Sequence, residues 1–342
     1  MKPNLSAVAW CCSVAMILVL TSCVPADKPP SAAEETEASS VEPEYTLGSE
    51  NTHNRWSSAI PPVLTVPSGA IVEIETKEAT DGQLTLESTS ESMASLDFNP
   101  IHPLTGPIYV EGAEAGDVLA VTFHEIEVLN WGWTGIVPGF GFLADEFTDP
   151  YLKTVTVEEG QTHIQFSENI SIPIVPFPGV IGVAPASEEQ LVTIPPRENG
   201  GNMDNRYLGV GTTVYLPVYV DGALLSLGDT HAAQGDGEVG GTGLEAPMRI
   251  VLEVEVKKGG RVLPEPEYET DDYYAVTAFA ESIDGAARKA TLFMIDYLVA
   301  ERGLTRQEAY VLCSLAGDLK ISEAVDMPHY LVSMHMPKEI FN

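Results

Sequence analysis

The segment that decides the fold class is Met248–Lys257, which reads MRIVLEVEVK. Its apolar side chains recur at every second position, which is the period of a strand with one buried face. The inward set is Ile250, Leu252, Val254 and Val256, and the outward set contains Glu253 and Glu255. A glycine pair at 259–260 follows and favours a turn, so this segment predicts a long, half-buried strand.

Similar signals precede this strand along the chain. Residues 62–76 contain two short apolar runs around a Pro-Ser-Gly turn, and residues 117–128 alternate over a full strand length. Residues 214–220 and 223–227 flank Asp221-Gly222, a type I′ turn signal that predicts a hairpin. The 25 prolines and 29 glycines suit a chain with many turns. We therefore expect a mainly β fold, a sandwich or a barrel.

The period changes near the C-terminus. Residues 285–301 have apolar side chains at helical spacing, and Gly303 is a suitable C-cap. Thr305 and Glu308 form a capping box for a second helix, in which Cys313 is interpreted as a small core residue rather than a nucleophile. The sequence thus predicts a β-rich lobe to about residue 275 and an α+β element over 276–342.

Charge excludes some partners. The 342 residues include 50 acidic and 17 basic side chains, for a net charge of −33. A polyanion such as a nucleic acid would be repelled, and so would an anionic lipid surface. The simplest interpretation is a solvated acidic surface.

The first residues have the features of a secretory leader. Residues 1–22 combine Lys2 with an apolar run, and Leu20-Thr21-Ser22-Cys23 resembles the bacterial lipobox, in which the cysteine is lipidated. Residues 23–46 are rich in Pro, Ala, Ser and Glu, which predicts a disordered acidic tether. We expect a domain over 47–342 that is lipid-anchored at Cys23 to the bacterial cell envelope, outside the cytoplasm, and contacts the membrane only through that anchor.

The loop over residues 228–238, GDTHAAQGDGE, concentrates polar chemistry. Asp229 and His231 are two positions apart and point to the same side of an extended segment, and Asp236 and Glu238 repeat that spacing. Carboxylate and imidazole together suit a divalent metal such as zinc, whereas a preponderance of carboxylate oxygen also suits calcium. A polar turn with Asx-type hydrogen bonds is the alternative.

Other candidate residues lie in three further segments. Residues 195–205, PPRENGGNMDN, offer Asn199, Asn202 and Asp204 to a small polar ligand. His102 stands between two prolines, and it and His53 are isolated histidines of the kind that more often serve structure than ligation. The aromatic, glycine-rich segment 131–142, which contains Trp133, predicts a lid over a small pocket or a subunit contact.

From about residue 46 to the end, the chain resembles the acetamidase/formamidase family. The matching blocks are residues 53–56, 61–64, 99–107, 112–117, 179–185, 200–204, 228–238 and 326–328. The resemblance implies hydrolysis of the C–N bond of short amides, a β-rich fold in two lobes, metal in some members, and homo-oligomers built from dimers. One departure is Gly240, where the family often has a cysteine.

Together, the loop chemistry and the resemblance give a site hypothesis. Metal ligands would be Asp229 and His231, joined by His53, Asp236 or Glu245. Glu238 would be the general base. Asn202 and Asp204 would hold the amide nitrogen, and Asn199, His102 and Trp133 would contact substrate. Two alternatives stay open: a hydrolase of a cyclic or N-substituted amide, and a non-catalytic surface lipoprotein that binds a small ligand.

Overall fold

A computed structural model describes residues 41–341 of the chain. The proposed signal at 1–22, the lipidation site Cys23 and the tether up to residue 40 lie outside the described residues and stay predictions. Tyr45 and Thr46, the last residues assigned to the tether, belong to the first strand. Within the described part of the chain, no helix is both long and apolar enough to cross a membrane.

Strands are the main regular structure of the described residues, which also form three helices. The strands are β1 (Tyr45–Leu47), β2 (Thr52–His53), β3 (Leu64–Val66), β4 (Ala70–Glu75), β5 (Leu104–Val110), β6 (Val118–Val128), β7 (Trp131–Ile136), β8 (Tyr151–Thr156), β9 (His163–Ser167), β10 (Ile170–Pro173), β11 (Phe177–Gly182), β12 (Gly200–Asn202), β13 (Thr213–Pro217), β14 (Leu225–His231), β15 (Met248–Lys257), β16 (Glu267–Glu269), β17 (Tyr273–Ala280), β18 (Asp318–Glu323) and β19 (Tyr330–Pro337). The helices are α1 (Ser90–Met93), α2 (Ile283–Arg302) and α3 (Arg306–Ala316), and a 3₁₀ turn (Lys338–Ile340) follows β19.

The larger sheet has nine strands in the order β1-β4-β15-β6-β13-β16-β17-β19-β18. Ile250, Leu252 and Val254 of β15 are fully buried, as the alternation predicts, whereas Val256 of the predicted inward set is half-buried and Val251 is buried as well. Neighbouring β4 and β6 run antiparallel to β15 along most of its length. The predicted α+β element continues this same sheet through β17, β19 and β18, so residue 275 falls inside a strand.

The second sheet has six strands, in the order β12-β11-β14-β5-β2 with β3 beside β5. One apolar cluster joins residues of both sheets, such as Ile74 and Leu252 of the first with Ile108 and Leu225 of the second. The core therefore lies between two sheets, as predicted for a sandwich. Among residues 41–341 both sheets are open, and neither closes into the barrel that was the other expectation.

The two predicted helices are confirmed. α2 begins after Ser282, whose side chain accepts a hydrogen bond from Gly285 N, and ends at Gly303 in the left-handed conformation (φ 66°). α3 has the predicted capping box of Thr305 and Glu308. Both helices cover β17 and β19 with a separate apolar cluster, in which Cys313 is buried.

The predicted hairpin over residues 214–227 is wrong. A turn does form at Asp221-Gly222, since Ala223 N donates to Val220 O at 3.0 Å. However, β13 belongs to the nine-stranded sheet and β14 to the six-stranded sheet. Ala223 and Leu224 adopt left-handed φ values of 58° and 60°, which directs the chain across the core instead of back along β13. The turn at Pro67-Ser68-Gly69 likewise links β3 and β4 of different sheets.

Candidate active site

The site lies at the end of β14, between β11 and β5. Asp229, Thr230 and His231 are the last residues of this strand, and all three are buried. The returning chain pairs with them: Ala232 N donates to Leu244 O and Ala246 N donates to Thr230 O, at 2.8 and 2.9 Å. This pairing places Glu245 beside His231, as the backbone bridge between these two residues shows.

Two carboxylates converge on the Nε2 side of His231. Glu245 Oε2 lies 3.1 Å from His231 Nε2, and Asp229 Oδ1 lies 3.6 Å from it. The ligand atoms of these three residues all lie within 4.8 Å of one another, a spacing compatible with a single metal ion. Two of the buried atoms, His231 Nε2 and Glu245 Oε2, have no hydrogen-bond partner in the described structure. A cation would satisfy both, so this donor set fits a divalent metal.

Two further carboxylates face the other nitrogen of the ring. Asp204 Oδ1 and Glu238 Oε1 lie 3.7 and 3.9 Å from His231 Nδ1. Glu238 follows the Gly237 bend in the loop after β14, and Asp204 follows β12. His231 is thus surrounded by four buried carboxylates, two on each side of its ring.

Gln234 orients the His231 ring and fixes which nitrogen carries the proton. Its Nε2 donates to Asp204 O at 2.6 Å, which leaves its Oε1 to accept the Nδ1 hydrogen of His231 at 2.7 Å. The lone pair of neutral His231 is then on Nε2 and faces Asp229 and Glu245. An outer hydrogen bond of this kind fixes the tautomer and orientation of a metal-binding histidine. Of the two groups with suitable spacing, Asp229–His231–Glu245 and Asp204–His231–Glu238, the first is therefore the one that could hold a metal ion.

The backbone is strained at three of these acids. Asp204, Asp229 and Glu238 have φ values of 38°, 48° and 43°, in the left-handed region that residues other than glycine rarely adopt. Such outliers persist where surrounding structure enforces them and concentrate at functional sites. Gly179 makes room for the cluster, because a Cβ there would lie 2.4 Å from Asp204 Oδ1.

Burial and mutual repulsion shift the acidities of the cluster. Burial raises the pKa of Glu245 to about 8, although the neighbouring His231 lowers it. Burial and the Asp204 charge raise the pKa of Glu238 well above its usual range. Burial alone would lower the pKa of His231, but the Glu245 and Asp229 carboxylates hold it well above 6.5. The cluster therefore attracts positive charge, whether protons or a metal ion.

A small inner cavity of about 50 Å³ opens onto this cluster. Asp204, Asp229, Glu238 and Glu245 line it, together with the predicted substrate-binding residues His102 and Trp133 and the predicted catalytic residue Asn202. Its size matches a molecule of a few heavy atoms.

Polar side chains in the cavity wall are held in place. Asn202 Nδ2 donates to Asp326 Oδ2 at 2.7 Å and leaves its buried Oδ1 without a partner. His102 Nε2 lies 3.6 Å from Asp229 Oδ2, and its buried Nδ1 has no partner in the described structure. Trp133 donates from its indole to the buried Glu78, at 2.9 Å. Asn202 Oδ1 and His102 Nδ1 thus stay without partners in the described structure, whereas the polar end of Trp133 is engaged.

The structure does not bring three of the named residues into the cluster. Both ring nitrogens of His53 are hydrogen-bonded, to Arg55 O and Ser226 Oγ, each at 2.8 Å. Asp236 is exposed and accepts from Tyr207 Oη at 2.9 Å. Asn199 donates to Val183 O at 2.7 Å and is not among the residues that line the inner cavity.

Three site residues were not predicted. Asp326 lines the inner cavity, and burial with the nearby Asp204 charge raises its pKa well above its usual range. Glu323 is fully buried behind it and accepts from the Val325 and Asp326 amides. Gln234 stands inside the quoted loop but was not assigned a role. The sequence pointed to Asp326 only because residues 326–328 are one of the blocks that resemble the acetamidase/formamidase family.

Buried carboxylates and an imidazole beside a small cavity are groups that acid–base or metal-assisted hydrolysis can use. The chain matches the Acetamidase/Formamidase family over residues 40–190 and 186–342. It therefore belongs to the acetamidase/formamidase family, as the sequence predicted.

Individual relatives agree with this assignment. The chain is 28% identical to a formamidase of Methylophilus methylotrophus, over 84% of this chain and 89% of the relative. The crystal structure of an acetamidase from Bacillus halodurans superposes with a TM-score of 0.81 at 38% identity, covering 86% of this chain and 98% of the other. A gamma lactamase from Delftia acidovorans superposes with a TM-score of 0.61 at 27% identity, covering 87% and 93%.

Proposed function

We propose that this protein hydrolyses the C–N bond of short linear amides and releases a carboxylate and ammonia. The family assignment supports an amidohydrolase. The observation that carries the proposal for this chain is the inner cavity of about 50 Å³, which four buried carboxylates line together with Asn202 and His102. A site of that size and polarity accommodates an amide group and little else.

We propose a divalent metal at Asp229, His231 and Glu245, with zinc favoured by the imidazole and calcium as the alternative because carboxylate oxygens predominate. When bound, such an ion supplies Lewis-acid polarisation of the amide carbonyl and lowers the pKa of water to near neutrality. The Asp229 and Glu245 carboxylates both face the Nε2 lone pair of His231. This concentration of negative charge is balanced only by a cation or a proton.

The remaining steps fall to side chains of this chain. Glu238 accepts a proton from the attacking water, because its raised pKa makes it a stronger base than an exposed carboxylate. As the water oxygen bonds to the carbonyl carbon and the C–N bond breaks, Glu238 returns the proton to the leaving nitrogen. The Asp204 carboxylate accepts hydrogen bonds from the amide NH₂, and Asn202 Oδ1, which has no other partner, does the same.

The test is ammonia release from formamide and acetamide by residues 41–342, with a chelator and after addition of zinc or calcium. We expect turnover that the chelator abolishes and one of the two ions restores. Glu238→Gln should lower kcat by about 10²–10⁴-fold, the range typical of a lost general base. Asp236→Asn, a change at an exposed carboxylate in the same loop, is the matched control. Absence of ammonia from the folded, metal-loaded protein with either amide would refute the proposal.

A second candidate is hydrolysis of a cyclic amide, favoured by the structural similarity to the gamma lactamase. The bond cleaved and the roles of Glu238 and Asp204 would be the same, but the product amine would stay attached to the acid. Assays with γ-butyrolactam beside acetamide separate the two functions, since only the linear substrate yields free ammonia.

A further inference from the structure

Asp326 lines the inner cavity and contacts both residues that hold the amide nitrogen in the proposed function. Its side chain is buried, since the residue is only 2% exposed. Asn202 Nδ2 donates to Asp326 Oδ2 at 2.7 Å, and the carboxyl groups of Asp326 and Asp204 are hydrogen-bonded to each other. The state of the Asp326 carboxyl group therefore affects both Asn202 and Asp204.

The contact between Asp204 and Asp326 requires a proton. Ionised carboxylates have only acceptor atoms, so a hydrogen bond between two of them forms when one is protonated. Two carboxyl groups that share a buried site do not both ionise readily, because their like charges repel. Asp204 Oδ1 lies 3.7 Å from His231 Nδ1, and the nearby His231 and His102 favour the charged form of Asp204. The proton therefore belongs on Asp326.

The charges around Asp326 also favour its neutral form. The groups that act on it most strongly are carboxylates from three different parts of the chain: Asp204 after β12, Glu238 in the loop after β14, and Glu323 at the end of β18. Burial and these three charges together raise the pKa of Asp326 well above its usual range. His329, the nearest imidazole along the chain, is engaged through Nδ1 with a backbone oxygen at 2.9 Å.

The main chain at Asp326 is held by a hydrogen-bonded turn. Glu323 Oε2 accepts from the amides of Val325 and Asp326, at 2.8 and 3.0 Å. His329 N donates to Asp326 O at 3.2 Å. Moving Asp326 away from the neighbouring carboxylates would disrupt this turn, whereas uptake of a proton relieves the repulsion without any such change.

We infer that Asp326 is a positioning residue that works as a neutral carboxylic acid, accepting a hydrogen bond from Asn202 and donating one to Asp204. This inference rests on the proposed amidase function and specifies how the site recognises the amide nitrogen. Because Asn202 Nδ2 is bound to Asp326, Oδ1 is the atom of Asn202 that remains to accept from the amide NH₂. The Asp326 hydroxyl hydrogen occupies one acceptor position of the Asp204 carboxylate and leaves the others for the substrate. Both acceptors are thus oriented before the amide binds.

The proton on Asp326 can be observed without measuring activity. Carbon-13 NMR of the protein labelled at the aspartate carboxyl carbons, with zinc or calcium added, identifies Asp326 by the resonance that is absent from Asp326→Asn. We expect this resonance to have the chemical shift of a protonated carboxyl group at pH 7, where an ordinary aspartate, with a pKa of about 3.9, is ionised. The shift of an ionised carboxylate at this pH would overturn the inference, whether or not the protein hydrolyses an amide.

Kinetics test the positioning role with two variants. Asp326→Asn has the hydrogen-bonding groups of the neutral acid, an oxygen that accepts from Asn202 and a nitrogen that donates to Asp204. Its kcat/KM for acetamide should therefore stay within about threefold of the unmodified value, because the hydrogen bond to a charged acceptor is kept. Asp326→Ala removes both contacts and should lower kcat/KM by about 10–100-fold, as expected for lost hydrogen bonds to a charged group. Equal losses in the two variants would overturn the inference, because they would show that an ionised Asp326 is required.

The matched control is Asp318→Asn, the same change at a side chain of β18 that is 72% exposed. It should leave both kcat/KM and the Asp326 resonance unchanged. A protonated resonance in a folded, metal-loaded protein that hydrolyses no amide would instead refute the proposed function, and with it the role of Asp326 towards the amide nitrogen. The NMR result thus separates failure of this inference from failure of the proposed function.

Discussion

Gln234 links His231 to the Asp204 backbone, with its Oε1 2.7 Å from His231 Nδ1 and its Nε2 2.6 Å from Asp204 O. The second contact fixes the orientation of the amide, and the first then fixes the proton of the ring. Because the opposite nitrogen faces Asp229 and Glu245, this arrangement leaves its lone pair free on the side where a cation could bind.

Gln234→Leu is therefore expected to weaken metal binding while leaving all three ligands in place. Loss of an outer hydrogen bond to a metal-binding histidine typically costs about 10–100-fold in affinity. Isothermal titration calorimetry with zinc or calcium measures this directly. Gln307→Leu, on the exposed face of α3, is the control and should bind as the unmodified protein does. Unchanged affinity in Gln234→Leu would show that the ring orientation is fixed by other contacts.

The residues that sequence analysis could place are those close together along the chain. Asp229, His231 and Glu238 were named from one loop, and the structure brings them together. Asp236 shows the limit of local spacing: Gly237, with φ +92°, turns the chain so that Glu238 enters the cavity while Asp236 faces solvent. Asp326 was not predictable from spacing, because it reaches Asn202 only through the pairing of β18 and β19 at the far end of the sheet.

Strands and helices differ in how much of their structure is encoded locally. α2 was predicted because its apolar period and its Gly303 cap are local. The partners of β13 and β14 were mispredicted because the Asp221-Gly222 turn specifies a reversal but not which sheet receives the next strand. Leu225 and Leu227 are fully buried in β14, so burial against the opposite sheet determines its place.

α2 also allows a test of how the helices are held on the larger sheet. Met294 is fully buried among β17, β19 and α3, and Met294→Ala should lower the free energy of unfolding by about 2–5 kcal/mol through lost contacts and the cavity left behind. Leu292→Ala, at a position that is 40% exposed on the same helix, should cost clearly less. Urea unfolding followed by circular dichroism compares the two. Equal losses would mean that α2 does not pack through the Met294 face.

At the scale of the whole molecule, one group of six carboxylates stands out because it is buried together, away from the solvated acidic surface. Asp204, Asp229, Glu238, Glu245, Glu323 and Asp326 are all buried at 6% exposure or less. The imidazoles in contact with this group are His231 and His102. Six carboxylates against two imidazoles make the site a source of strain in the metal-free fold, because buried charges without partners cost free energy.

This imbalance predicts that the metal-free protein loses stability as pH rises from 6.5 to 8. Burial raises the pKa of both Glu245 and Glu323 to about 8, so in this range the folded state holds protons that the unfolded chain, with ordinary pKa values, has released. For each such group, the free energy of unfolding falls by about 1.4 kcal/mol per pH unit as the pH rises towards the pKa of that group in the folded state. His231, with its raised pKa, acts in the same direction.

The window above pH 6.5 isolates these groups from opposing ones. Burial lowers the pKa of His53 and His335 to about 4. Their contribution to the free energy of unfolding is therefore lost as the pH falls from 6.5 to 4, and it is constant above pH 6.5. Urea midpoints in the presence of a chelator should therefore fall steadily from pH 6.5 to 8, and Glu323→Gln, which cannot ionise, should reduce the slope. Glu339→Gln, at an exposed position, should leave the slope unchanged. Midpoints that rise over this range would mean that the site carboxylates are already ionised in the metal-free fold, and that cations other than protons balance them.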